Sequence, residues 1–490
     1  MSSQEIITYA ANRGVKLSEA DKTLIGKAYD FAYHAHTDQK RHSGEPYFIH
    51  LYNTALNCVR FGMDATVIAA GLLHDVLEDT DTPREELEDQ FGAEIVHLID
   101  GVTKLGKVRY QGNQRHVESL RKFFISVATD VRVVMVKLAD RLHNLQTLEH
   151  VRPEKRTRIA LESIEIYSQL ASRLGMGKIT VEIQEAAFPF AYPEEYKKTK
   201  QLFDNALKHT AETLDRVHRG IVKDIGSANI RGVKIEKRVK SLYSLYKKLV
   251  KRNWNIAEVH DIIALRVITN STEDCYRILG LIHAHYRPIP GRIKDFIALP
   301  KPNGYKSLHT SIFAGDGNVA EIQIRTYEMN HTNEYGISSH HMYKKSGTNK
   351  YQKDSFNWLA DLSTLESGTT DRNYAEFLKS LRTDFFQDRI FIYTPKGDVI
   401  DIPEGGTVLD FAYTVHSDIG NHASGATVNG KYSALKTVLK NSDVVEIITD
   451  KKSSPTSKWL SWCASTLAKR HISSYLSKNK KGIMDTLLMR

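Results

Sequence analysis

The stretch LLHDVLEDTD, residues 72–81, begins as a core-forming apolar segment and holds four acidic residues within ten positions. If residues 69–79 form a helix, the imidazole and the first carboxylates lie on adjacent strips of one face, opposite the leucines. Carboxylates that crowd beside a hydrophobic core repel one another and lose hydration, and a divalent cation relieves both costs. The stretch therefore predicts a metal site on a largely apolar helix.

Other segments must supply further ligands, because one helix cannot surround an ion. His74 and Asp75 have two candidate partners, His50 in EPYFIHL and Asp140 in VKLADRLHNLQTL, where Asn144 shares the helix face of Asp140. Two imidazoles and two carboxylates suit Mn²⁺, Fe²⁺ or Zn²⁺ better than Ca²⁺, and an open position would hold a water activated for hydrolysis. Any one of these histidines is more often an ordinary core or surface residue, whereas the combination within one helical module favours a metal centre.

Three more side chains near this pattern are candidates for chemistry. Glu78 and Asp79 follow the ligand pair so closely that we predict a role in proton transfer. Arg41, in KRHSGEPY, is a candidate for holding a phosphate oxygen.

The composition limits the class of protein. The 490 residues are too many for one hydrophobic core and predict roughly three domains. No apolar run approaches the roughly 18 residues that span a bilayer, and MSSQEIITYAANRG lacks the regions of a signal peptide, so we expect a cytoplasmic protein with no membrane partner. Cys58, Cys275 and Cys463 lie far apart and are expected to be reduced structural thiols.

The net charge of +10 is concentrated in two segments. Residues 231–252 hold nine lysines and arginines against one glutamate, and residues 451–490 hold nine against one aspartate, so the rest of the chain is net acidic. These basic segments predict contact with phosphate groups, although solvated helix faces would also explain them.

Local patterns divide the chain into five segments. Residues 1–196 have helical periodicity, and residues 197–350 have mixed strand and helix patterns. An exposed linker follows at 351–386, then a strand-rich unit at 387–450 and a basic amphipathic helix at 451–490. In the first segment we predict a helix capped by Ser18. A second capping box is predicted at Thr82, with Pro83 in the first helical position.

The second segment carries the parts that phosphoryl or pyrophosphoryl transfer requires. Asp261, near the start of a buried strand, and Glu321, on the polar face of the strand VAEIQIRT, are a candidate Mg²⁺ pair. RVKSLYSLYKKL is an expected helix that would cradle polyphosphate, bind RNA or face solvent, through Arg238, Lys240, Lys247 and Lys248. A GxxxxGK[ST] loop is absent from the sequence, which excludes a P-loop enzyme.

The arrangement H…HD…D on helices resembles the HD phosphohydrolase superfamily. More narrowly, SGEPYFIH, LLHDVLEDTD and VKLADRLHNLQTLEH are similar to the hydrolase domain of the RelA/SpoT homologue family, the bacterial alarmone synthetase-hydrolases. The resemblance implies an enzyme that removes the 3′-pyrophosphate of (p)ppGpp with Mn²⁺. It implies metal ligands at His50, His74, Asp75 and Asp140. It also implies a catalytic acid pair at Glu78 and Asp79, and substrate contacts at Arg41, His42 and Asn144.

PGRIKDFIALPKPNGYKSLHT and EIQIRT resemble the synthetase domain of the same family, which transfers pyrophosphate from ATP to the 3′-hydroxyl of GDP or GTP. The resemblance implies Mg²⁺ ligands at Asp261 and Glu321, with Glu321 also activating the hydroxyl and Tyr305 stacking on the base. The loop RIKD, residues 292–295, is of the basic type seen in members with both activities. Further phosphate or ribose contacts are implied at Arg238, Ser244, Lys248, Arg292, Lys294, Lys301, Asn303, His309 and Gln323.

DRIFIYTPKGDVIDIPEGGTVLDFAYTVHSDIG, residues 388–420, resembles the TGS domain, a small β-grasp unit. In long members of the family this domain contacts the 3′ end of a deacylated tRNA on the ribosome, and the matching RNA-contacting residue is His416. The basic tail would add phosphate neutralisation. Long relatives continue with regulatory domains, so we expect either a natural short form or a truncated chain.

The expected protein is multidomain, with an all-α HD-type hydrolase domain at 1–196, an α/β nucleotidyltransferase-like synthetase domain with a preceding helical linker at 197–350, and a β-grasp TGS domain at 387–450. We expect both activities, with nucleotide binding at one site disfavouring the competent shape of the other. Lys237, Lys306 and Phe296 depart from the family's usual residues, so one alternative is a hydrolase whose impaired synthetase domain is a nucleotide-binding regulator. The other alternative is a ribosome- or tRNA-binding stress sensor.

Overall fold

The structure is a computed structural model of the chain. It describes residues 1–41, 43–103, 123, 126–127, 129–259, 261–301, 303–315, 318–336 and 389–488, without the side chains of 208–211 and 478–488. His42 and the linker expected at 351–386 lie outside the described residues. The chain divides into two compact units, Met1–Thr369 and Thr370–Arg490.

The first unit begins with helices, as the periodicity of its sequence predicts. Seven of the described helices, α1 to α7, precede residue 104: Ser3–Asn12, Glu19–Ala35, Phe48–Arg60, Ala65–Leu73, Val76–Asp79, Arg84–Phe91 and Ala93–Val102. Helices α8, α9 and α10 follow at Arg132–Gln146, Pro153–Glu162 and Ser168–Arg173. A 3₁₀ turn, Leu148–His150, follows α8, and a π-helical turn, Ser163–Tyr167, joins α9 to α10.

Two helix starts test the capping predictions. The cap at Ser18 is confirmed, because its side chain accepts from the amide of Asp21 while the Asp21 carboxylate accepts from the amide of Ser18. The cap at Thr82 is wrong. Pro83 occupies the N-cap position of α6 and no side chain caps that helix, while the hydroxyl oxygen of Thr82 accepts from the hydroxyl of Thr80 at 2.9 Å in a local turn.

The helix expected over residues 69–79 is interrupted in the middle. Helix α4 ends at Leu73, and His74 and Asp75 form a turn before the short helix α5 begins at Val76. Both turn residues keep right-handed backbone angles. The imidazole and the carboxylate are therefore presented from a turn between two helices.

Helices α3, α4 and α8 pack together closely around this turn. Gly71 allows the approach, because a Cβ at that position would lie 3.0 Å from Sγ of Cys58 and 3.4 Å from Cα of Ala55 on α3. Helix α3 is joined to α8 by a hydrogen bond of 3.1 Å from Asn57 Nδ2 to the carbonyl of Ala139. The metal-ligand candidates on these helices therefore face a common centre.

Two long helices connect the helical module to the sheet. Helix α11 spans Gly177–Ala191 and α12 spans Pro193–Ser227. On α11, Glu182 forms an ion pair with Arg60 of α3, and Glu185 Oε1 accepts a hydrogen bond of 2.9 Å from the backbone amide of Tyr243. Helix α11 thus contacts both parts of the first unit.

A five-stranded mixed sheet forms the second part of the first unit. Its strands β1 to β5 are Lys234–Val239, Ile263–Thr269, Lys294–Asp295, Leu308–Phe313 and Val319–Thr326. The strand order is β1-β2-β5-β4-β3, with β2 parallel to β5 and the other pairs antiparallel. Helices α13, α14 and α15 accompany it at Leu242–Lys251, Thr272–His285 and Tyr327–Tyr335, and a 3₁₀ turn lies at Ile256–Glu258.

One prediction about this sheet needs correction. Arg238 and Lys240 are not on a helix, because Arg238 belongs to strand β1 and α13 begins only at Leu242 after the Ser241 cap. The face of β5 that carries polar residues is largely covered, since Gln323 is 2% and Arg325 3% exposed. The sheet therefore buries polar groups on the face that carries Glu321.

The second unit is rich in short strands, as its sequence predicts. Strands β6 and β7, Arg389–Tyr393 and Val399–Pro403, form one hairpin, and β8, β9 and β10, Ala423–Val428, Lys431–Ser433 and Val445–Thr449, form a sheet in the order β10-β8-β9. Helices α16 to α19 are Val408–Val415, Ser417–Asn421, Trp459–Trp462 and Thr466–Leu488. The buried carboxylate of Asp410 joins α16 to α19, because it accepts from Ser465 N and Oγ at 2.8 and 2.7 Å.

The predicted sequence of fold types, all-helical, then mixed, then strand-rich, is confirmed. Within the described ranges, no helix combines the length and the apolar character that crossing a membrane requires.

Candidate active sites

Three predicted ligands from separate segments converge in the helical module. One ligand atom from each of His50, His74 and Asp140 lies within 4.8 Å of the other two, and all three residues are buried. His50 comes from α3, His74 from the turn after α4 and Asp140 from α8. Tertiary packing thus gathers residues that lie up to 90 positions apart in the sequence.

Asp75 completes the set. Its Oδ2 lies 3.1 Å from Nε2 of His74 and 3.5 Å from Nε2 of His50, while Oδ1 of Asp140 lies 3.3 Å from Nε2 of His50. Burial alone would raise the pKa of both aspartates, but the imidazoles, and Lys137 beside Asp140, outweigh it and hold both pKa values well below the usual range. Both carboxylates are therefore ionised.

The donor chemistry fits a divalent metal ion. Nδ1 of His74 lies 2.9 Å from the carbonyl of Gly71 and donates to it, which leaves Nε2 as the coordinating atom. Nε2 of His74 is buried and has no well-oriented hydrogen bond, although carboxylate oxygens surround it. Imidazole nitrogens and carboxylate oxygens in this number are ligands for a transition metal or Zn²⁺.

The predicted acid pair lies at the rim of this centre. Glu78 and Asp79 end helix α5, and Asp79 is exposed. The hydroxyl of Tyr47 lies within hydrogen-bond distance of Asp79, and Gln39 Nε2 donates to the carbonyl of Asp79 at 2.6 Å. These contacts fix the position of α5 relative to the ligands.

Arg41 and Asn144, the predicted contacts to the substrate, meet beside Asp140. Nη2 of Arg41 donates to Oδ1 of Asn144, and Nδ2 of Asn144 donates to Oδ1 of Asp140. Nη1 of Arg41 lies 3.0 Å from Nδ1 of His143. Burial, reinforced by the neighbouring His50 and Arg41, lowers the pKa of His143 to about 3, so this imidazole is neutral.

The second site lies on the sheet. Oδ2 of Asp261 is 2.5 Å from Nζ of Lys240 and also pairs with Lys248. Burial would raise the pKa of Asp261, but the two ammonium groups lower it to about 2, while burial lowers the pKa of Lys240 to about 8. The carboxylate is therefore ionised and flanked by two lysines.

Glu321 ends a chain of hydrogen-bonding side chains on the same face. Tyr305 OH lies 2.8 Å from Nε2 of His309, whose Nδ1 lies 3.4 Å from Oε1 of Glu321, and Gln323 Nε2 donates to that oxygen at 3.1 Å. Burial would raise the pKa of Glu321, but its contact with His309 outweighs this and lowers it. The pKa of His309 is lowered in turn, chiefly by burial.

A cleft brings the two predicted Mg²⁺ ligands together. Among the residues that line it are Asp261, Glu321, Lys248 and Arg292. Strand register supports the grouping, because Arg238 pairs with Ala264, which pairs with Glu321 on the next strand. Arg238 and Glu321 therefore share one face of the sheet.

The other predicted synthetase contacts differ in the parts of the fold that they face. Lys294 pairs with His309 across β3 and β4, and Nζ of Lys301 lies 5.1 Å from the ring centre of Tyr305. Ser244 lies in the first turn of α13, where it contacts the Ser241 cap. Asn303 faces the helical module instead, because its Nδ2 donates to the carbonyl of Ser172 at 3.0 Å.

The sequence did not predict Tyr47 and His143, which contact the metal-ligand candidates. It predicted Lys240 as a phosphate contact, but not the contact of Lys240 with Asp261. Arg325 is 3% exposed, and its Nε and Nη2 have no hydrogen-bond partner among the described residues. Tyr47 and His143 do lie within the motifs that carry His50 and Asp140, which is the only signal that sequence offers for them.

His416, the predicted RNA contact, lies at the surface of the second unit. It precedes α17, and its Nδ1 accepts a hydrogen bond of 3.2 Å from the amide of Asp418. The imidazole is exposed.

Comparison with known proteins assigns the three parts of the chain. Family models match an HD domain at residues 28–177, a region found in RelA / SpoT proteins at 237–348 and a TGS domain at 390–449. Guanosine-3′,5′-bis(diphosphate) 3′-pyrophosphohydrolase of Aquifex aeolicus is 43% identical over 458 residues, which cover 93% of this chain and 65% of that protein. The chain belongs to the RelA/SpoT family.

Other RelA/SpoT proteins match over nearly the whole chain. Bifunctional (p)ppGpp synthase/hydrolase SpoT of Escherichia coli K12 is 38% identical over 95% of this chain and 66% of its own length. GTP pyrophosphokinase of Myxococcus xanthus is 39% identical over 94% of this chain and 61% of its own length. The chain thus spans slightly less than two thirds of these curated relatives. The three matched regions confirm the predicted fold class of the RelA/SpoT family.

Proposed function

We propose that the helical site hydrolyses the 3′-pyrophosphate of (p)ppGpp to give GDP or GTP. The observation that carries this proposal is the convergence of His50, His74, Asp75 and Asp140 beside the linked pair of Arg41 and Asn144. The names of the relatives from Aquifex aeolicus and Escherichia coli support the choice of substrate.

The residues of the helical site would have separate roles in metal binding and phosphate binding. The two histidines and two aspartates would hold Mn²⁺, which lowers the pKa of a bound water and so supplies a nucleophile at neutral pH. Arg41 would bind an oxygen of the 3′-pyrophosphate, held in place by Asn144. Water adds to the phosphorus bonded to the 3′ oxygen, that P–O bond breaks, and pyrophosphate leaves.

Proton transfer would fall to the acid pair. Asp79 or Glu78 would accept the proton that the attacking water loses, and a proton would return to the departing 3′ oxygen. Tyr47, which lies beside Asp79, would hold this carboxylate toward the centre.

The test is a nucleotide assay of the purified chain with Mn²⁺ and Mg²⁺ supplied separately. We expect GDP and pyrophosphate from ppGpp with Mn²⁺, and much slower release with Mg²⁺. Intact ppGpp under both conditions, in a chain that binds the metal, would refute the proposal.

We also propose that the sheet site transfers pyrophosphate from ATP to the 3′-hydroxyl of GDP or GTP. Asp261 and Glu321 line one cleft and would hold Mg²⁺, while Lys240, Lys248 and Arg292 would neutralise the triphosphate. Glu321 would take the proton of the attacking 3′-hydroxyl, and AMP would leave as the bond between the α- and β-phosphates breaks.

An impaired synthetase domain is the alternative, and two unusual residues bear on it. Lys237 pairs with Asp215 of α12 at 2.6 Å, so its side chain is directed away from the cleft residues and does not block them. Phe296 packs edge-on against Tyr305 with ring centres 5.9 Å apart. Incubation with ATP, GDP and Mg²⁺ decides, because a chain without synthetase activity yields no 3′-pyrophosphorylated product.

For the second unit we propose contact with deacylated tRNA, in the cytoplasm where the nucleotides occur. The support is the exposed imidazole of His416 together with the basic segment 451–490. We expect binding that weakens steeply with salt and that is lost when His416 and the lysines of this segment are replaced. Salt-independent binding, or none, would refute it.

A further inference from the structure

His143 lies between two residues that the proposed hydrolysis assigns to different tasks. Its Nδ1 is 2.9 Å from Nδ1 of His50, a predicted metal ligand, and 3.0 Å from Nη1 of Arg41, the predicted phosphate contact. In the sequence, His143 lies 93 residues after His50 and 102 residues after Arg41. His143 itself is 6% exposed, so water does not compete for these contacts.

The protons in this group can be placed by elimination. A guanidinium has only donors, so Nδ1 of His143 must accept from Arg41 and carries no proton itself. The short contact between the two imidazoles then requires Nδ1 of His50 to donate, so the two donors share the single lone pair on Nδ1 of His143. A neutral His50 therefore has its lone pair on Nε2, which is the atom that faces the carboxylates of Asp75 and Asp140.

We propose that His143 is a positioning residue that fixes the tautomer and ring orientation of His50 and holds the guanidinium of Arg41. The role given to Arg41 rests on the proposed hydrolytic function. The effect of His143 on His50 depends only on His50 being a metal ligand. A metal-bound imidazole gains from an acceptor on its other nitrogen, which orients the ring and increases its basicity. His143 supplies that acceptor without introducing negative charge.

Two substitutions separate the acceptor from the bulk of the ring. In H143N the Oδ1 atom stands three bonds from Cα, as Nδ1 does, so it accepts from His50 and Arg41. H143L fills similar space and offers no acceptor. The control is H150N, at an exposed histidine that pairs with its neighbour Glu149.

The primary measurement is Mn²⁺ affinity of the whole chain without nucleotide, by competition with a chelator. We expect H143L to bind about tenfold to hundredfold more weakly than the native chain, with H143N within about threefold and H150N unchanged. Native affinity in H143L overturns the proposal, and so does a loss in H143N equal to that in H143L.

Thermal unfolding without metal shows whether each variant folds. If H143L does not fold, H143Q replaces it, because its amide lies one methylene further out and cannot take the place of Nδ1. Weaker Mn²⁺ binding by H143Q than by H143N then supports the proposal, and equal binding overturns it.

Hydrolysis gives a second, separate readout. Where ppGpp is hydrolysed, loss of the Arg41 contact in H143L raises KM, and H143N restores KM toward the native value. A native chain that binds Mn²⁺ but leaves ppGpp intact would refute the proposed function. The Mn²⁺ affinities of the variants would then still decide whether His143 positions His50. Native Mn²⁺ affinity in H143L with ppGpp still hydrolysed would refute only the role of His143.

Discussion

The hydroxyl oxygen of Tyr47 lies 2.8 Å from Oδ2 of Asp79. The same oxygen lies 2.7 Å from Oδ2 of Asp75, so one phenol sits between a predicted metal ligand and a predicted proton acceptor. Burial, strengthened by the two carboxylates, raises the pKa of Tyr47 far above its usual value, and the phenol remains a donor at any working pH. Its ring is fixed by stacking on His36, with ring centres 5.1 Å apart.

Replacing Tyr47 with phenylalanine should therefore slow hydrolysis without unfolding the site. The two carboxylates would lose their shared donor, and Asp79 would be free to rotate away, so we expect kcat to fall by about tenfold to hundredfold with little change in KM. Y33F, at an exposed tyrosine on α2, is the matched control. A Y47F chain with native kcat would contradict this role.

Asp75→Asn should abolish hydrolysis and leave synthesis intact. The amide cannot replace a carboxylate as a metal ligand facing two imidazoles, and the sheet site shares no residue with this centre. The measurement is ppGpp breakdown with Mn²⁺ and ppGpp formation with Mg²⁺ on the same preparation. Retained Mn²⁺-dependent breakdown would show that the metal assignment is wrong.

Glu321→Gln should have the opposite effect. Removing the carboxylate takes away both the proposed proton acceptor and a proposed Mg²⁺ ligand, so we expect synthesis to fall by about 10² to 10⁴-fold while hydrolysis stays native. E328Q, on the exposed side of α15, carries the same chemical change away from the cleft. Equal synthesis by E321Q and E328Q would remove Glu321 from the mechanism.

Sequence predicted those parts of the fold and sites that depend on local pattern. Helical periodicity, the Ser18 cap and the strand VAEIQIRT were placed well, because each follows from neighbours within a few residues. Local pattern also placed Arg238 on a helix and Thr82 at a cap, and both were wrong. Pairing with Ala264 draws Arg238 into the sheet, and a turn with Thr80 takes up Thr82.

The remaining site residues depend on contacts that no local pattern encodes. His143 meets its partners only after α3 and α8 pack, and Lys240 meets Asp261 only when β1 lies beside β2. Alternation placed the polar residues of β5 on one face, but it did not indicate that the fold buries Gln323 and Arg325. The sequence thus indicated the reacting groups better than the groups that hold them.

The three cysteines should be unreactive in the folded chain. Burial raises the pKa of Cys275 and Cys463 to about 12 and also raises that of Cys58, so thiolate is scarce at pH 8. Labelling with a disulfide reagent should be slow until denaturant is added, when three thiols react. Fast labelling of the native chain at pH 8 would contradict the burial.

The same shift gives a direction for alkaline stability. These thiols stay protonated in the folded chain while those of the unfolded chain ionise above about pH 9, so the free energy of unfolding should fall as pH rises from 9 to 12. Each thiol contributes at most about 1.4 kcal/mol per pH unit. In urea titrations at several pH values from 9 to 12, the free energy of unfolding of C275A and of C463A should fall less steeply with pH than that of the native chain. An equally steep fall with pH would contradict this account.

The contact between Gly175 and the loop that carries Asn303 tests whether the helical module positions a part of the sheet site. Gly175 has φ of +73°, and a Cβ there would lie 2.8 Å from the carbonyl oxygen of Asn303 and 3.2 Å from Cα of Gly336. G175A should therefore cost about 1–2 kcal/mol in stability from backbone strain alone, and the clash should push the Asn303 loop outward. Displacement of this loop misplaces Tyr305, so synthesis should fall by up to about 100-fold while Mn²⁺-dependent hydrolysis changes little.

The control for this substitution is Gly280→Ala in the middle of α14. That glycine has a helical backbone with nothing within 4 Å of an added Cβ, so alanine should stabilise the chain by about 1 kcal/mol and leave both activities native. Urea unfolding gives the stability change, and the two nucleotide assays give the activities. If G175A lowers hydrolysis and synthesis equally, the junction acts through global stability, because a local displacement of the Asn303 loop reaches only the sheet site.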